Sequence, residues 1–157
     1  MRKTIIGPVA ENISRSDQNW LDLERLTHVE LTSEDPKYPV ESALTPGQGP
    51  GWRANRPGEQ TIRIIFDQPQ SLRRIWLEFD EQEQARTQEF ALRCFQEGQE
   101  HAREIVRQQY TFSPPQTIRE IEDYRVELER VTAIELKIIP DISRGSARAS
   151  LAQIRLA

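Results

Sequence analysis

Between Leu26 and Leu156 apolar residues recur at every second position in short runs, the spacing that sends one side of a β-strand inward and the other outward. Thr27, Val29 and Leu31 share one face of a first run. Ile62, Ile64 and Phe66 share a face of the second, Thr61 to Asp67. A third, Leu72 to Phe79, turns Ile75, Leu77 and Phe79 inward and Arg74, Trp76 and Glu78 to the opposite face. The fourth is Thr87 to Phe95. In the fifth, Arg103 to Thr111, Val106, Gln108 and Tyr110 alternate against Ile105, Arg107 and Gln109. Tyr124, Val126 and Leu128 are in phase in the sixth, Arg119 to Leu128. Ile134, Leu136 and Ile138 are in phase in the seventh, Thr132 to Ile139, and Ala152, Ile154 and Leu156 in the eighth, Ala149 to Leu156. No amphipathic helix interrupts these runs, and the polar stretches Glu81 to Arg86 and Glu97 to Arg103 read as hairpin connections. Eight strands with polar punctuation predict an all-β, eight-stranded antiparallel sandwich or jelly roll over residues 21–157.

Residues 1–20 have little periodicity and read as a partly ordered leader, pinned to the domain by Trp20. The stretch Asn19 to Leu26 reads as either a helical turn or an edge strand. If successive strands run antiparallel, the connections Ser33 to Gln60, Asp80 to Arg86, Phe112 to Ile118 and Pro140 to Arg148 share one end of the sandwich. The short links Gln68 to Ser71 and Glu129 to Val131, with Gln96 to Ala102, fall at the other. Long loops gathered on a rigid scaffold are where a binding site is expected.

Composition narrows the function. The net charge is −4, with both signs interspersed and no basic stripe or tail, so nucleic acid is not an expected partner. No apolar run reaches the ~20 residues of a membrane span. The opening Met1-Arg2-Lys3-Thr4-Ile5-Ile6-Gly7-Pro8 has a basic flank, but its apolar stretch is shorter than the roughly 7–15 residues of a secretory signal, making the cytoplasm the expected compartment. Cys94 is the single cysteine and falls in phase with Phe90 and Leu92, as a small buried hydrophobe would. Two histidines, His28 and His101, lie far apart. No nucleophile elbow, metal-binding histidine pair or phosphate-cradling loop accompanies them, so no enzyme activity is expected.

Several segments resemble the galactose-binding-like, or discoidin (coagulation-factor C-type), domains. Val29-Glu30-Leu31-Thr32-Ser33-Glu34-Asp35-Pro36, then Pro39-Val40-Glu41-Ser42-Ala43-Leu44 and Gly51-Trp52, are similar to that family's opening strand, alanine-containing stretch and tryptophan. Gly58 to Pro69 and Leu72-Arg73-Arg74-Ile75-Trp76-Leu77-Glu78-Phe79 resemble its next two strands. Ala133 to Ile138 and Ser150 to Leu156 resemble the two closing ones. The chain also resembles small bacterial proteins labelled carbohydrate-binding by analogy of fold. The resemblance implies a jelly roll that binds carbohydrate or another small polar ligand. Intracellular members of the superfamily imply the alternative, a protein–protein docking domain. It also implies a structural calcium, but Leu44-Thr45-Pro46-Gly47 and Gln153 replace the expected acids, so no metal or other cofactor is expected here.

Candidate ligand-binding residues follow from chemistry at the long-loop end. Trp52 and Arg53 offer an aromatic face beside a guanidinium, the pair that suits sugar C–H groups and hydroxyls, although Trp52 can equally plug the sandwich. Tyr38, held between Pro36 and Pro39, and Glu41 share their loop. Arg86 can meet a ligand or pair with Glu81 or Glu83. Asp141 and Arg144 form a polar loop able to face Arg86.

Overall fold

A computed structural model describes residues 19–157, and all but the last two positions of the expected 1–20 leader lie outside them. Among the described residues two single helical turns, α1 (Leu23–Leu26) and α2 (Glu41–Leu44), accompany eight strands: β1 (Thr27–Leu31), β2 (Trp52–Pro57), β3 (Gln60–Asp80), β4 (Arg86–Gln96), β5 (Arg103–Phe112), β6 (Arg119–Ile139), β7 (Arg148–Leu151) and β8 (Gln153–Leu156). The result is an antiparallel jelly-roll β-sandwich, as the alternation predicts. The stretch before β1 resolves as a helical turn, with the Asp22 carboxylate accepting from the Arg25 N–H.

The strand partition differs from the expected one. The second and third runs are one strand, β3, and the sixth and seventh are one strand, β6. What reads as a turn at Gln68 to Ser71 is a kink inside a continuous pair. Between Ile65↔Ala133 and Gln70↔Val131, β3 advances five residues (65 to 70) against two on β6 (133 to 131). Pro69 has no N–H for a regular ladder, and on the opposite strand Arg130 takes φ 52°, so the pair bends here without parting.

That bend makes two layers from two strands. The N-terminal half of β3 and the C-terminal half of β6 sit in a five-stranded layer ordered β1-β3-β6-β4-β5. Their other halves, with β8 beside Ile75 to Glu78, form a three-stranded layer. Ile62, Ile64, Phe66, Ile75, Leu77 and Phe79 are all buried between them, and Phe79 meets Phe90 with ring centroids 5.2 Å apart. Cys94 is buried with Phe90 and Leu92.

Two further expectations need correction, and one residue is buried in an unforeseen way. The loop from Ser33 to Gln60 contains a strand, β2, paired with β7 through Trp52↔Leu151 and Arg53↔Ser150. The eighth run breaks at Ala152, where Leu151 and Ile154 both turn inward and the alternation changes phase. Arg74, expected on the outer face, is on that face but only 3% exposed: Trp20 covers it at 5.0 Å and Asp123 binds it with two hydrogen bonds of 2.8 Å.

The inner row of β6 brings a polar layer into the sandwich. Glu120 is buried, and its Oε1 accepts from Gln88 Nε2 at 3.3 Å while its Oε2 has no donor. Burial, reinforced by the adjacent Glu122 carboxylate, pushes the Glu120 acid up to about 8, against the smaller opposing influence of Gln88 and Arg86. Held as the neutral acid, Glu120 can donate to Glu122, which also accepts from Gln108 Nε2 at 2.7 Å. The folded chain therefore binds more protons than the unfolded one between the ordinary carboxyl range and about 8. Stability from this pair is present at low pH and is lost as pH rises through that window. Thermal melts of Glu120→Gln from pH 5 to 9 should show a flatter pH profile and, at pH 9, a melting point several degrees above the parent, since ~1 kcal/mol moves a domain of this size by about 2–4 °C. An unchanged slope would assign the titration to another group.

Candidate functional site

The kink in β3 and β6 returns both ends of each strand to one end of the sandwich. Gln60 pairs with Ile138 there, and Arg86 reaches both Glu81 and the Pro140 carbonyl. A cleft of about 480 Å³ opens between the loop before β2 with the start of that strand, the 80–84 segment and the β7 region.

One wall is built from Tyr38 and Arg53. Asp35 N–H donates to the Arg53 carbonyl at 2.9 Å and Arg53 N–H to the Tyr38 carbonyl at 3.2 Å, fastening the 35–38 turn beside β2. The Arg53 guanidinium then lies over the Tyr38 ring, 4.7 Å from its centroid. Trp52, the preceding residue, points the other way. Its indole is 1% exposed and Nε1 donates to the Ser33 carbonyl at 3.0 Å, so most of the ring plugs the sandwich and only its margin borders the cleft.

The glycine-rich approach to Trp52 has a steric cause. Gly51 has φ 103°, and a Cβ there would collide with the Leu151 carbonyl and the Ala152 backbone. Its N–H donates to Ser42 Oγ at 2.9 Å, which ties the loop to α2.

The facing wall is the 80–84 segment, set by a buried ion pair. Arg86 Nε donates to Glu81 Oε1 at 2.6 Å, with the two side chains only 1% and 15% exposed. Arg86 Nη1 donates to the Pro140 carbonyl at 2.7 Å, and its guanidinium covers the Phe112 ring at 4.8 Å. The other Glu81 oxygen accepts from the backbone N–H groups of Glu83 and Gln84. Burial alone pushes the Glu81 acid up, but these donors and the Arg86 charge together outweigh it and hold the carboxyl below its ordinary value. Arg86 thus sits under the cleft rather than in it, joining three connections.

Of the residues expected from sequence, Tyr38, Trp52 and Arg53 line the cleft together. Glu41 is exposed at the start of α2, outside the lining. Asp141 also lies outside it, where its carboxylate accepts from Ser143 Oγ at 2.6 Å and Ser143 N–H at 3.0 Å, bonds that hold its acid below the usual value. Arg144 closes that same turn with φ 63° and is likewise not in the lining. Sequence reasoning missed Gln82, Gln84, Ser146, Arg148 and Ser150, which complete the walls. The recognisable signal was that two of the long connections, 80–86 and 140–148, supply most of them.

Chemically the cleft is a mixed polar surface. Arg53 and Arg148 face Asp80, Glu81 and Glu83, with side-chain amides and hydroxyls between. Asp80 is already paired with Arg119 at 3.2 Å, and Arg148 approaches Asp35 at 3.9 Å. Among the described residues no group of three or more His, Cys, Asp or Glu side chains converges as a metal site. An aromatic platform beside hydroxyl- and amide-sized partners suits a small polyhydroxylated ligand.

No protein-family model matches this sequence, and no curated protein is significantly similar to it. Solved structures are similar in fold. One is the family 32 carbohydrate-binding module of Clostridium perfringens NanJ in complex with galactose, with 12% identity, a TM-score of 0.60, and 87% of this chain and 96% of that one covered. A second C. perfringens module, CpGH89CBM32-5 in complex with GalNAc-β-1,3-galactose, has 13% identity and a TM-score of 0.63, covering 88% and 99%. Reduced XRCC1 bound to the catalytic domain of DNA polymerase β has 12% identity and a TM-score of 0.62, covering 84% and 95%. The fold of this chain is the galactose-binding-like, discoidin-type jelly roll.

Proposed function

We propose that this chain is a non-catalytic carbohydrate-binding module that takes a saccharide in the cleft at the long-loop end. The observation that carries the reading is the Arg53–Tyr38 stack on one wall, opposite a segment whose Glu81 is held by Arg86. Sugar rings present C–H faces to an aromatic side chain and hydroxyls to guanidinium, amide and hydroxyl groups, and each of these partners lines the cleft. Two similar folds crystallised with galactose-containing ligands support the class of ligand. A similar fold bound to a polymerase domain supports protein docking as the second reading, for which we infer the same loop end.

One shallow site of this kind should bind in the millimolar range, about −4 kcal/mol at 1 mM. Titrating the protein with galactose and galactose-containing disaccharides by NMR should shift amides near Tyr38, Arg53 and Gln82 to Gln84 saturably. Tyr38→Ala and Arg53→Ala should each weaken binding about tenfold or more, which is ~1.4 kcal/mol, with little change in melting temperature. Shifts that are absent at tens of millimolar for all saccharides would remove the carbohydrate reading and favour the docking one.

Trp52 should separate from that pair by its phenotype. Replacing a fully buried tryptophan by alanine costs about 3–5 kcal/mol of stability, so Trp52→Ala should unfold at much lower denaturant concentration. Trp52→Phe should recover part of the stability and retain saccharide binding. Loss of binding in a stably folded Trp52→Phe would instead give the indole a direct part in recognition.

A further inference from the structure

The side of the sandwich where β5 faces the N-terminal half of β6 is open at both strand edges. Among the described residues β5 pairs only with β4, and residues 119–128 of β6 pair only with β3. Half of the backbone N–H and C=O groups on each edge therefore lack a ladder partner. Towards the cleft end the two edges are closed by side chains. Gln108 Nε2 donates to Glu122 at 2.7 Å, Tyr124 Oη to Gln108 at 2.6 Å, and Tyr110 Oη to the Arg119 carbonyl at 3.0 Å.

Towards the other end they part. β5 carries a bulge, because Leu92 pairs with Val106 while the next residue, Arg93, pairs with Glu104. The bulge turns the strand where the side-chain seam ends. Below it lies a groove of about 800 Å³ with Ile105, Val126 and Leu128 as its apolar floor and Arg73, Arg103 and Arg125 among its rim. Two rim charges are already committed: Arg73 holds Glu129 at 2.5 Å, and Glu104 is held by Arg107 at 2.8 Å. Arg103, Arg125 and Glu127 remain, an excess of positive charge in a chain whose net charge is −4.

We infer that this groove is a second binding site, which takes an extended acidic peptide strand by adding it to the open edge of β5. Unpaired backbone supplies the hydrogen bonds, the half-buried Ile105 and Val126 take alternate apolar side chains, and Arg103 and Arg125 take the carboxylates between them. A saccharide has neither the strand-like hydrogen-bonding repeat nor the apolar alternation that these walls match. The site is independent of the cleft, which lies at the other end of the seam.

The test uses a capped hexapeptide of alternating glutamate and valine, with the lysine–valine peptide as control, added to the 15N-labelled full chain. The glutamate peptide should shift and protect from exchange the amides of Arg103 to Val106 and Arg125 to Leu128. The Arg103→Glu/Arg125→Glu double variant should weaken that binding at least tenfold, while Tyr38→Ala leaves it unchanged. Both arginines are exposed, so the double variant should melt like the parent, and Arg103→Lys/Arg125→Lys should retain most of the affinity. Equal binding of the lysine peptide, shifts confined to the cleft, or no shifts at millimolar peptide would each overturn the proposal. So would protection of the same amides with rising protein concentration alone, which would give the edge to a second copy of this chain.

Discussion

The pairing of β3 with β6 is the constraint on which the rest of the molecule depends. Both strands are 21 residues long and remain hydrogen-bonded to each other from one layer into the next. Neither layer exists without them: β1, β4 and β5 attach to one half of the pair and β8 to the other. Their bend has two consequences that would otherwise seem unrelated. It brings Gln60 and Asp80, the two ends of β3, to the same end of the sandwich, so the loops that leave them can build one cleft. It also leaves the first half of β6 without a second neighbour, and that is why one side of the sandwich has open edges.

Buried charge fixes what the backbone leaves free. Removing an arginine and a glutamate from water costs several kcal/mol per ion unless geometry and further hydrogen bonds offset it. At Arg86 they do: a 2.6 Å bond to Glu81, a 2.7 Å bond to the Pro140 carbonyl and the face of Phe112 surround one guanidinium. One side chain thus fastens the 80–86, 112–118 and 140–148 connections to one another. Glu120, two links away through Gln88, is the opposite case, a buried acid with one oxygen unsatisfied and a carboxylate for a neighbour. It is compatible with the fold because it can keep its proton.

Much of this was legible in the residues because a half-buried strand announces itself by a period of two. Ile62, Ile64 and Phe66, or Ile134, Leu136 and Ile138, admit no other regular structure in so short a run. The kinks were not legible, since a proline at 69 and the polar pair Glu129-Arg130 look the same whether the chain turns back or merely bends. The difference lies in whether the partner strand bends with it, which is a long-range fact. β2 was hidden for a related reason: Trp52-Arg53-Ala54-Asn55-Arg56-Pro57 has no β-branched residue, and it is a strand only because β7 and the 35–38 turn pair with its backbone. Of the fourteen residues lining the cleft, Tyr38, Trp52 and Arg53 could be grouped in advance because they share a loop. Arg86 was placed at the right end, but no local pattern tells a buried arginine from a solvated one.

What recognition remains possible at the cleft is set by subtraction. The backbone of 35–38 is tied to β2, Trp52 is closed off by packing, and Arg86 and Glu81 satisfy each other below the surface. The groups that line the opening are the Arg53–Tyr38 stack, Arg148, Asp80 and Glu83, the amides of Gln82 and Gln84 and the hydroxyls of Ser146 and Ser150. These are neutral or singly charged groups on a wall that does not have to reorganise, so a ligand loses little to ordering the protein. On the proposed reading, affinity would come from several modest hydrogen bonds and one stacked ring rather than from a deep apolar pocket. A saccharide held there would be discriminated by the directions of its hydroxyls more than by its size, because an unmatched polar group costs more than a lost contact.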